Sequence, residues 1–203
     1  MVPTVEWKDG AVRLLDQSRL PGSVEFLDCR DYQAVADAIC SLKVRGAPAI
    51  GVTAAMGIAL GAQTVVAPDY EIFARAVIVI CDHLAATRPT AVNLFWAIER
   101  MKRMLASLRT QPIVSIKAAL LKESQAILDE DIALCKAMGQ HGARLIANGQ
   151  TVLPIVMLVR WRQPATERHW VSFAPPGSRG SRFRSSQTKP GRFCKARGSR
   201  RGS

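Results

Sequence analysis

The sequence lacks several features that mark particular classes of protein. No apolar run reaches the about 20 residues needed to cross a bilayer, and the most apolar stretch, residues 47–62, is rich in Gly and Ala. The first residues include Glu6, Lys8 and Asp9 and show no basic-then-apolar pattern, so we expect no secretory signal. We therefore expect a cytoplasmic protein without a membrane partner.

Cysteine is present, but without any pairing pattern. The five cysteines are odd in number, scattered and without CxxC spacing: Cys29, Cys40, Cys81, Cys135 and Cys194. This distribution argues against a disulfide framework and against a zinc site. We expect reduced thiols and no bound metal.

Acidic residues are almost absent from one part of the chain. The net charge is +12, yet residues 1–153 contain 16 Lys and Arg against 15 Asp and Glu, whereas residues 154–203 contain 12 against the single acid Glu167. The basic part is also dense in Gly, Ser and Pro and shows no sustained period. Such a composition cannot bury enough apolar surface to offset chain entropy. The sequence predicts a boundary near Leu153, followed by a disordered tail.

The residues before that boundary predict a mainly α fold with a small sheet at its start. Residues 4–29 alternate in the manner of strands around Asp9-Gly10 and Pro21-Gly22, which are hairpin and turn signals. We expect a small antiparallel β region over residues 1–30, a helical domain over residues 31–149, and a single strand over residues 150–153.

Caps and apolar periodicity predict five helices in the helical domain. Asp31 caps the first, Pro48 begins the second, Asp69 opens the third and Thr90 caps the fourth. The long fifth helix carries an apolar stripe, in which His141 is interpreted as a core histidine. The stripe consists of Ile113, Ile116, Leu120, Ile127, Leu134, Met138, His141 and Leu145.

The octet VRGAPAIG at residues 44–51 is a candidate phosphate site. A helix start collects unpaired N–H groups and attracts phosphate, Gly46 permits close approach of the backbone, and Arg45 could supply a charged fork. The alternative is a tight loop entering a core helix, with Arg45 paired to a nearby carboxylate. The octet alone favours that alternative.

Three blocks taken together resemble one family. They are VRGAPAIGVTAAMGIALGA at residues 44–62, RPTAVNLFWAIERM at residues 88–101 and HGARLIANGQTVL at residues 141–153. Over residues 3–153 the chain resembles the amino-terminal part of the S-methyl-5-thioribose-1-phosphate isomerases, which share a superfamily with the translation initiation factor 2B subunits and ribose-1,5-bisphosphate isomerase. RPTAVNLFWA favours the isomerase branch.

The resemblance implies an aldose–ketose isomerisation in methionine salvage, without metal or nucleotide cofactor. The implied partner is 5-methylthioribose 1-phosphate, bound by Arg45, Gly46, Ala47 and Arg88, and family members are usually homodimers. A sugar phosphorylated at its anomeric carbon cannot open its ring freely. The site must therefore hold the phosphate while a general acid–base pair moves protons.

The chain departs from the family pattern after Leu153. The catalytic cysteine of the family lies in an HCNAG block after the TVL strand, and its catalytic aspartate lies in the Rossmann-like domain that follows. Here the next residues read PIVMLVRWRQPATERHW, and none of the five cysteines matches the nucleophile. The sequence therefore predicts that this chain lacks the Rossmann-like domain and has no catalytic residue.

A frameshift explains the tail. Codons that encode the residues from Pro154 onward, read from the third base of the first codon, can yield HCNAGALATAGYGTAL, and the same frame later yields VFADETRPFLQGARLTAWE. Each codon of this shifted frame takes its second and third bases from the codon of the next residue in the printed sequence, so only its first base is free. Agreement between the shifted frame and the family sequence across residues 154–203 is therefore not expected by chance. We predict a frameshift, either from mutation or from a sequencing error, and an inactive product.

The competing interpretation is a nucleic-acid-binding protein. Its basic tail interleaves Trp161, Trp170, Phe173 and Phe183 with arginines, a pattern that can grip phosphates and stack on bases. A GC-rich gene read in the wrong frame gives the same composition, so we rank this interpretation below the isomerase.

Overall fold

The computed structural model describes residues 3–145 and shows a small sheet followed by a helical bundle. This confirms the predicted mainly α class with an amino-terminal antiparallel sheet. The predictions for residues 146–203, including the strand at 150–153 and the tail, lie outside the described residues. The elements are β1 (Val5–Lys8), β2 (Ala11–Leu15), β3 (Phe26–Cys29), α1 (Tyr32–Cys40), α2 (Ala47–Thr64), α3 (Tyr70–Thr87), α4 (Val92–Ser107) and α5 (Ile113–Ala143).

The sheet is antiparallel in the order β1-β2-β3. Asp9 and Gly10 both adopt positive φ, 50° and 72°, as a tight two-residue hairpin requires. In the middle strand Val12 lies opposite Trp7 on one side and Cys29 on the other. Because alternate residues face the same side, Val12 and Leu14 are both fully buried.

Helix α2 is the centre of the core, because its residues from Ile50 to Ala62 are all buried. It is long and apolar enough to cross a membrane by length and composition, but 72% of that span is buried inside the protein, as in the core helix of a soluble fold. Its small residues allow close contact with the neighbouring helices. Gly57 packs against Val35 of α1 and Leu84 of α3, and Gly61 packs against Ile80 of α3.

The helix starts follow the predicted caps in two cases out of four. The Asp31 carboxylate accepts a hydrogen bond from Ala34 N at 2.7 Å, and Asp69 caps α3 in the same way. Thr90 does not cap α4, which begins one residue later, after Ala91, without a side-chain cap. In α2 the helix begins at Ala47, so Pro48 is its second residue rather than its first.

The predicted stripe of α5 is right in its first half and wrong in its second. Ile116, Leu120, Ile127 and Cys135 are buried, but Leu134 is 49% exposed. Met138 is only partly buried, and His141 and Leu145 are exposed, so His141 is not a core histidine.

The length of α5 explains that difference. Only five residues, 108–112, join α4 to α5, and Arg100 in the middle of α4 contacts Glu123 and Glu130 of α5, so the two helices run antiparallel. Val92, the start of α4, lies about 12 Å along the helix axis from Arg100, at about 1.5 Å per residue. The same distance along α5, measured from the residues that contact Arg100, reaches a level near Cys135. The apolar period continues beyond that level, but α4 no longer covers it.

Candidate functional site

The ends of α1 and α3 lie together at one end of the bundle. The Cys40 thiol donates a hydrogen bond to the Thr87 carbonyl across 3.7 Å, so the last residues of the two helices are neighbours. Nearer the start of α1, the ring of Tyr32 meets that of His83 edge to face at 5.5 Å. The two segments that follow, residues 41–46 and residues 88–91, therefore leave from the same end.

The first turns of α2 and α4 meet at that end as well. A Cβ placed on Gly51 would lie only 2.8 Å from the carbonyl oxygen of Asn93, so the two helix backbones are in direct contact there. The loop containing Arg45 enters α2, and the loop containing Arg88 enters α4. The structure thus brings the two loops singled out in the sequence to one place.

The start of α2 has backbone features that favour binding of an anion. Gly46 has φ 95° and ψ 129°, a conformation that favours glycine, and no side chain caps the helix. The first helical hydrogen bond runs from Ile50 N to Gly46 O at 3.0 Å. The N–H groups of Ala47 and Ala49 come before it and Pro48 has none, so the first turn presents donors that have no partner within residues 3–145.

The loop before α2 is held by a residue that the sequence analysis did not identify. Gln17, which follows β2, donates from its backbone to Lys43 O at 2.9 Å and from Nε2 to Arg45 O at 3.2 Å. Arg45 Nε donates to Leu42 O at 3.3 Å, within the loop. Nothing in the sequence around Gln17 signals this role, since the contact depends on how the sheet packs beside α1.

The two arginines carry charge that the described part of the chain leaves uncompensated. Within residues 3–145 neither Arg45 nor Arg88 forms an ion pair, unlike Arg13, which pairs with Asp28 at 2.6 Å. Within the described range, the alternative interpretation in which Arg45 pairs with a carboxylate is therefore wrong. Arg88 is partly buried, where an unpaired charge is more costly than at the surface.

The sequence over residues 43–157 matches the initiation factor 2 subunit family, which covers more than half of the chain. The chain belongs to this family. The methylthioribose-1-phosphate isomerase of Geobacter sulfurreducens is 53% identical over 150 residues, which is 74% of this chain and 43% of that protein. The isomerase of Syntrophotalea carbinolica is 54% identical over 75% of this chain and 44% of its own length. This chain thus spans less than half the length of these curated relatives.

Solved structures of the family share the fold. The crystal structure of 5-methylthioribose 1-phosphate isomerase from Pyrococcus horikoshii superposes with a TM-score of 0.70 at 38% identity, over 72% of this chain and 41% of that one. The delta subunit of translation initiation factor 2B from A. fulgidus gives 0.67 at 38% identity, over 73% of this chain and 43% of its own. The fold is therefore common to the isomerases and the initiation factor subunits. The similarity of this chain to the isomerases in particular is shown by its sequence identity to the curated relatives.

Three of the four described thiols of this family member are buried and are not set up as nucleophiles. Cys29 and Cys81 are buried, and burial raises the pKa of Cys29 to about 11 and that of Cys81 to about 12. A thiol with a raised pKa stays protonated and unreactive near neutral pH. Cys135 is also buried, and Cys40 is exposed but donates to a backbone carbonyl. Within residues 3–145 no cluster of His, Cys, Asp and Glu could hold a metal ion.

A charged network fixes α4 against α5 along its middle. Arg100 donates to Glu123 at 2.6 Å and to Glu130 at 2.7 Å, and its guanidinium lies 5.5 Å from the ring centre of Trp96. The hydrogen bond from Arg100 lowers the pKa of Glu130. Because α4 begins at the site, this network helps to set where its first turn lies.

Proposed function

We propose that this chain is the phosphate-binding amino-terminal part of a methylthioribose-1-phosphate isomerase. The sequence identity to relatives with that name supports the activity of the family. The observation that carries the site is that the Arg45 loop and the Arg88 loop both leave from one end of the bundle, where the flanking helix ends are in contact. The substrate would be 5-methylthioribose 1-phosphate, on which the Pyrococcus horikoshii enzyme acts by its name.

The geometry suits a phosphate dianion. Unpaired N–H groups at the start of α2 offer hydrogen bonds and a partial positive charge. Arg45 and Arg88 supply guanidinium groups without a carboxylate partner among the described residues, and such groups bind phosphate through charge-assisted hydrogen bonds. In this proposal Gly46 and Ala47 bind through their backbone, and the two arginines neutralise the charge.

The isomerisation itself needs groups that we do not find in this chain. A proton must move between adjacent carbons of the sugar, which takes an acid–base pair of suitable pKa within hydrogen-bonding reach. Cys29 and Cys81 fail that requirement because burial raises the pKa of each thiol, and Cys135 is also buried. We infer that the polypeptide as written is inactive, because losing the acid–base groups of a concerted site costs many orders of magnitude in rate.

We also infer that residues 154–203 are a frameshifted translation of the expected catalytic domain. Two observations support this. Codons compatible with residues 154–203 can encode family-like sequence in the hidden frame, and the match to the family ends at residue 157, close to the predicted junction after Leu153. The cytoplasmic location remains part of this proposal. The homodimer is expected of the family and not of this shortened chain, and sedimentation of the purified chain tests that expectation.

The experiment compares two proteins, the chain as written and the product of a gene with the frame restored after Leu153. We expect the restored protein to convert 5-methylthioribose 1-phosphate into methylthioribulose 1-phosphate and the chain as written to show no turnover. Turnover by the chain as written would disprove the inactive assignment. An inactive restored protein that is folded would disprove the isomerase assignment.

Binding to the chain as written tests the site separately. Isothermal titration with 5-methylthioribose 1-phosphate should give weaker binding for Arg88→Ala and Arg45→Ala than for the unaltered chain. Arg75→Ala is the matched control, since Arg75 is an exposed arginine in the first half of α3, away from its Arg88 end. Equal affinities for all the variants would place the phosphate elsewhere.

The nucleic-acid alternative makes a different prediction. Salt-dependent binding of RNA that disappears on deletion of residues 154–203 would favour it. Under the isomerase proposal, that deletion leaves the affinity for the sugar phosphate unchanged.

A further inference from the structure

We propose that Gly51 is a positioning residue for the phosphate site. It has no side chain, and this absence sets the spacing between the first turns of α2 and α4. That spacing in turn fixes how far the Arg88 loop lies from the Arg45 loop. The inference rests on the proposed function, because it concerns the same site.

The contact at Gly51 is with backbone, which cannot yield easily. A Cβ on Gly51 would lie 2.8 Å from Asn93 O, 3.4 Å from Asn93 C and 3.5 Å from Asn93 Cβ. Real Cβ atoms essentially never approach another heavy atom within 3.0 Å. Asn93 is the second residue of α4, so its carbonyl is held within the helix. A methyl group at position 51 must therefore push the first turn of α4 away.

Two other glycines of α2 show the contrast. A Cβ on Gly57 would also lie 2.8 Å from its nearest neighbour, but that neighbour is Cγ1 of Val35, a side-chain methyl of α1. A Cβ on Gly61 would meet Cδ1 of Ile80 at 2.8 Å. These neighbours are side-chain atoms, which can shift more easily than the backbone carbonyl that faces Gly51. Only Gly51 of the three faces the backbone at the site.

The shift at α4 reaches Arg88 through a short connection. Four residues, 88–91, join α3 to α4, and Ala91 N donates to Arg88 O at 3.0 Å, which closes the turn. The opposite side of the site is held separately, because Gln17 anchors the backbone of Arg45. A displaced α4 therefore moves one arginine relative to the other rather than moving both together.

The test uses the full 203-residue chain as the unaltered protein, Gly51→Ala and Gly57→Ala. Affinity for 5-methylthioribose 1-phosphate is measured by isothermal titration, and stability by thermal unfolding. We expect Gly51→Ala to bind about tenfold more weakly, which corresponds to about 1.4 kcal/mol and is close to the contribution of one hydrogen bond to a charged group. We expect Gly57→Ala to lose stability but to keep its affinity.

Each outcome decides the matter. Unaltered affinity in Gly51→Ala, while the unaltered chain binds, would overturn the positioning role alone and leave the proposed function standing. A parallel loss of affinity in both variants would show a general effect of destabilisation and would also overturn it. So would a Gly51→Ala chain that fails to fold when Gly57→Ala folds. Absence of binding by the unaltered chain would overturn the proposed site and this inference together.

Discussion

Removing the amine of Lys117 tests how α5 is held to the end of α2. Its Nζ donates to Gln63 O at 2.9 Å and to Val65 O at 2.7 Å. These carbonyls lie at the carboxyl end of α2, where the last turn has no intrahelical donors. Lys117→Met keeps the apolar stem and removes both hydrogen bonds, together with a positive charge that favours a helix carboxyl end.

The magnitude follows from the two bonds and their exposure. A hydrogen bond to a charged group contributes about 1.5–3 kcal/mol. Lys117 and Val65 are only partly buried and Gln63 is exposed, so water replaces part of what is lost. We therefore count about 1 kcal/mol for each bond, at the level of an ordinary hydrogen bond. A total loss of about 2 kcal/mol corresponds to a fall in Tm of about 4–8 °C for a domain of 150–250 residues.

Urea unfolding of the full chain, followed by far-UV circular dichroism, measures this loss. The matched control is Lys122→Met, which removes an exposed amine one and a half turns further along α5. A surface change of that kind alters stability by no more than about 0.5 kcal/mol. If Lys117→Met and Lys122→Met lose the same stability, the two bonds to the end of α2 contribute nothing, and the reasoning is refuted.

Three further predictions concern caps, acid and thiols. Asp69→Ala should cost about 1 kcal/mol in urea unfolding because it removes a helix cap, whereas Thr90→Ala should cost almost nothing, and equal losses would contradict the observed start of α4. Arg100 lowers the pKa of Glu130 in the folded state, so the ionised Glu130 stabilises the fold fully above its unfolded pKa, near 4.5. This contribution is lost as the pH falls through the folded pKa. The loss of unfolding free energy with falling pH should therefore be smaller in Glu130→Gln, as urea unfolding at several pH values would show. Cys81, whose pKa burial raises to about 12, should react with a thiol reagent at pH 8 only at the rate of unfolding, and fast labelling of its peptide by mass spectrometry would contradict that burial.

Signals that act over a few residues could be predicted from the sequence. The Asp9-Gly10 hairpin is one example, because positive φ at both positions is a property of the turn itself. Capping by Asp31 and Asp69 is another, since each carboxylate reaches a backbone N–H three residues away. Thr90 carries the same local signal but does not cap α4, whose first turn packs against Gly51 of α2.

Packing partners set the limits of the periodic patterns. The stripe of α5 continues to Leu145 in the sequence, yet burial stops near Cys135, where α4 no longer lies alongside. Periodicity records which face of a helix is apolar and not how long its neighbour is. For the same reason, the pattern could not show that His141 is exposed.

The sequence by itself determined the family and the two arginine loops, because both follow from short stretches of residues. The change of reading frame after Leu153 stays a prediction from the sequence. The sequence could not show that the loops of Arg45 and Arg88 leave from the same end of the bundle, because the two residues are far apart in the chain and local sequence patterns act only over a few residues. Tertiary packing decided that arrangement. The direct contact of Gly51 with the Asn93 backbone, and the anchoring of the Arg45 loop by Gln17, exist only once the helices and the sheet have packed together.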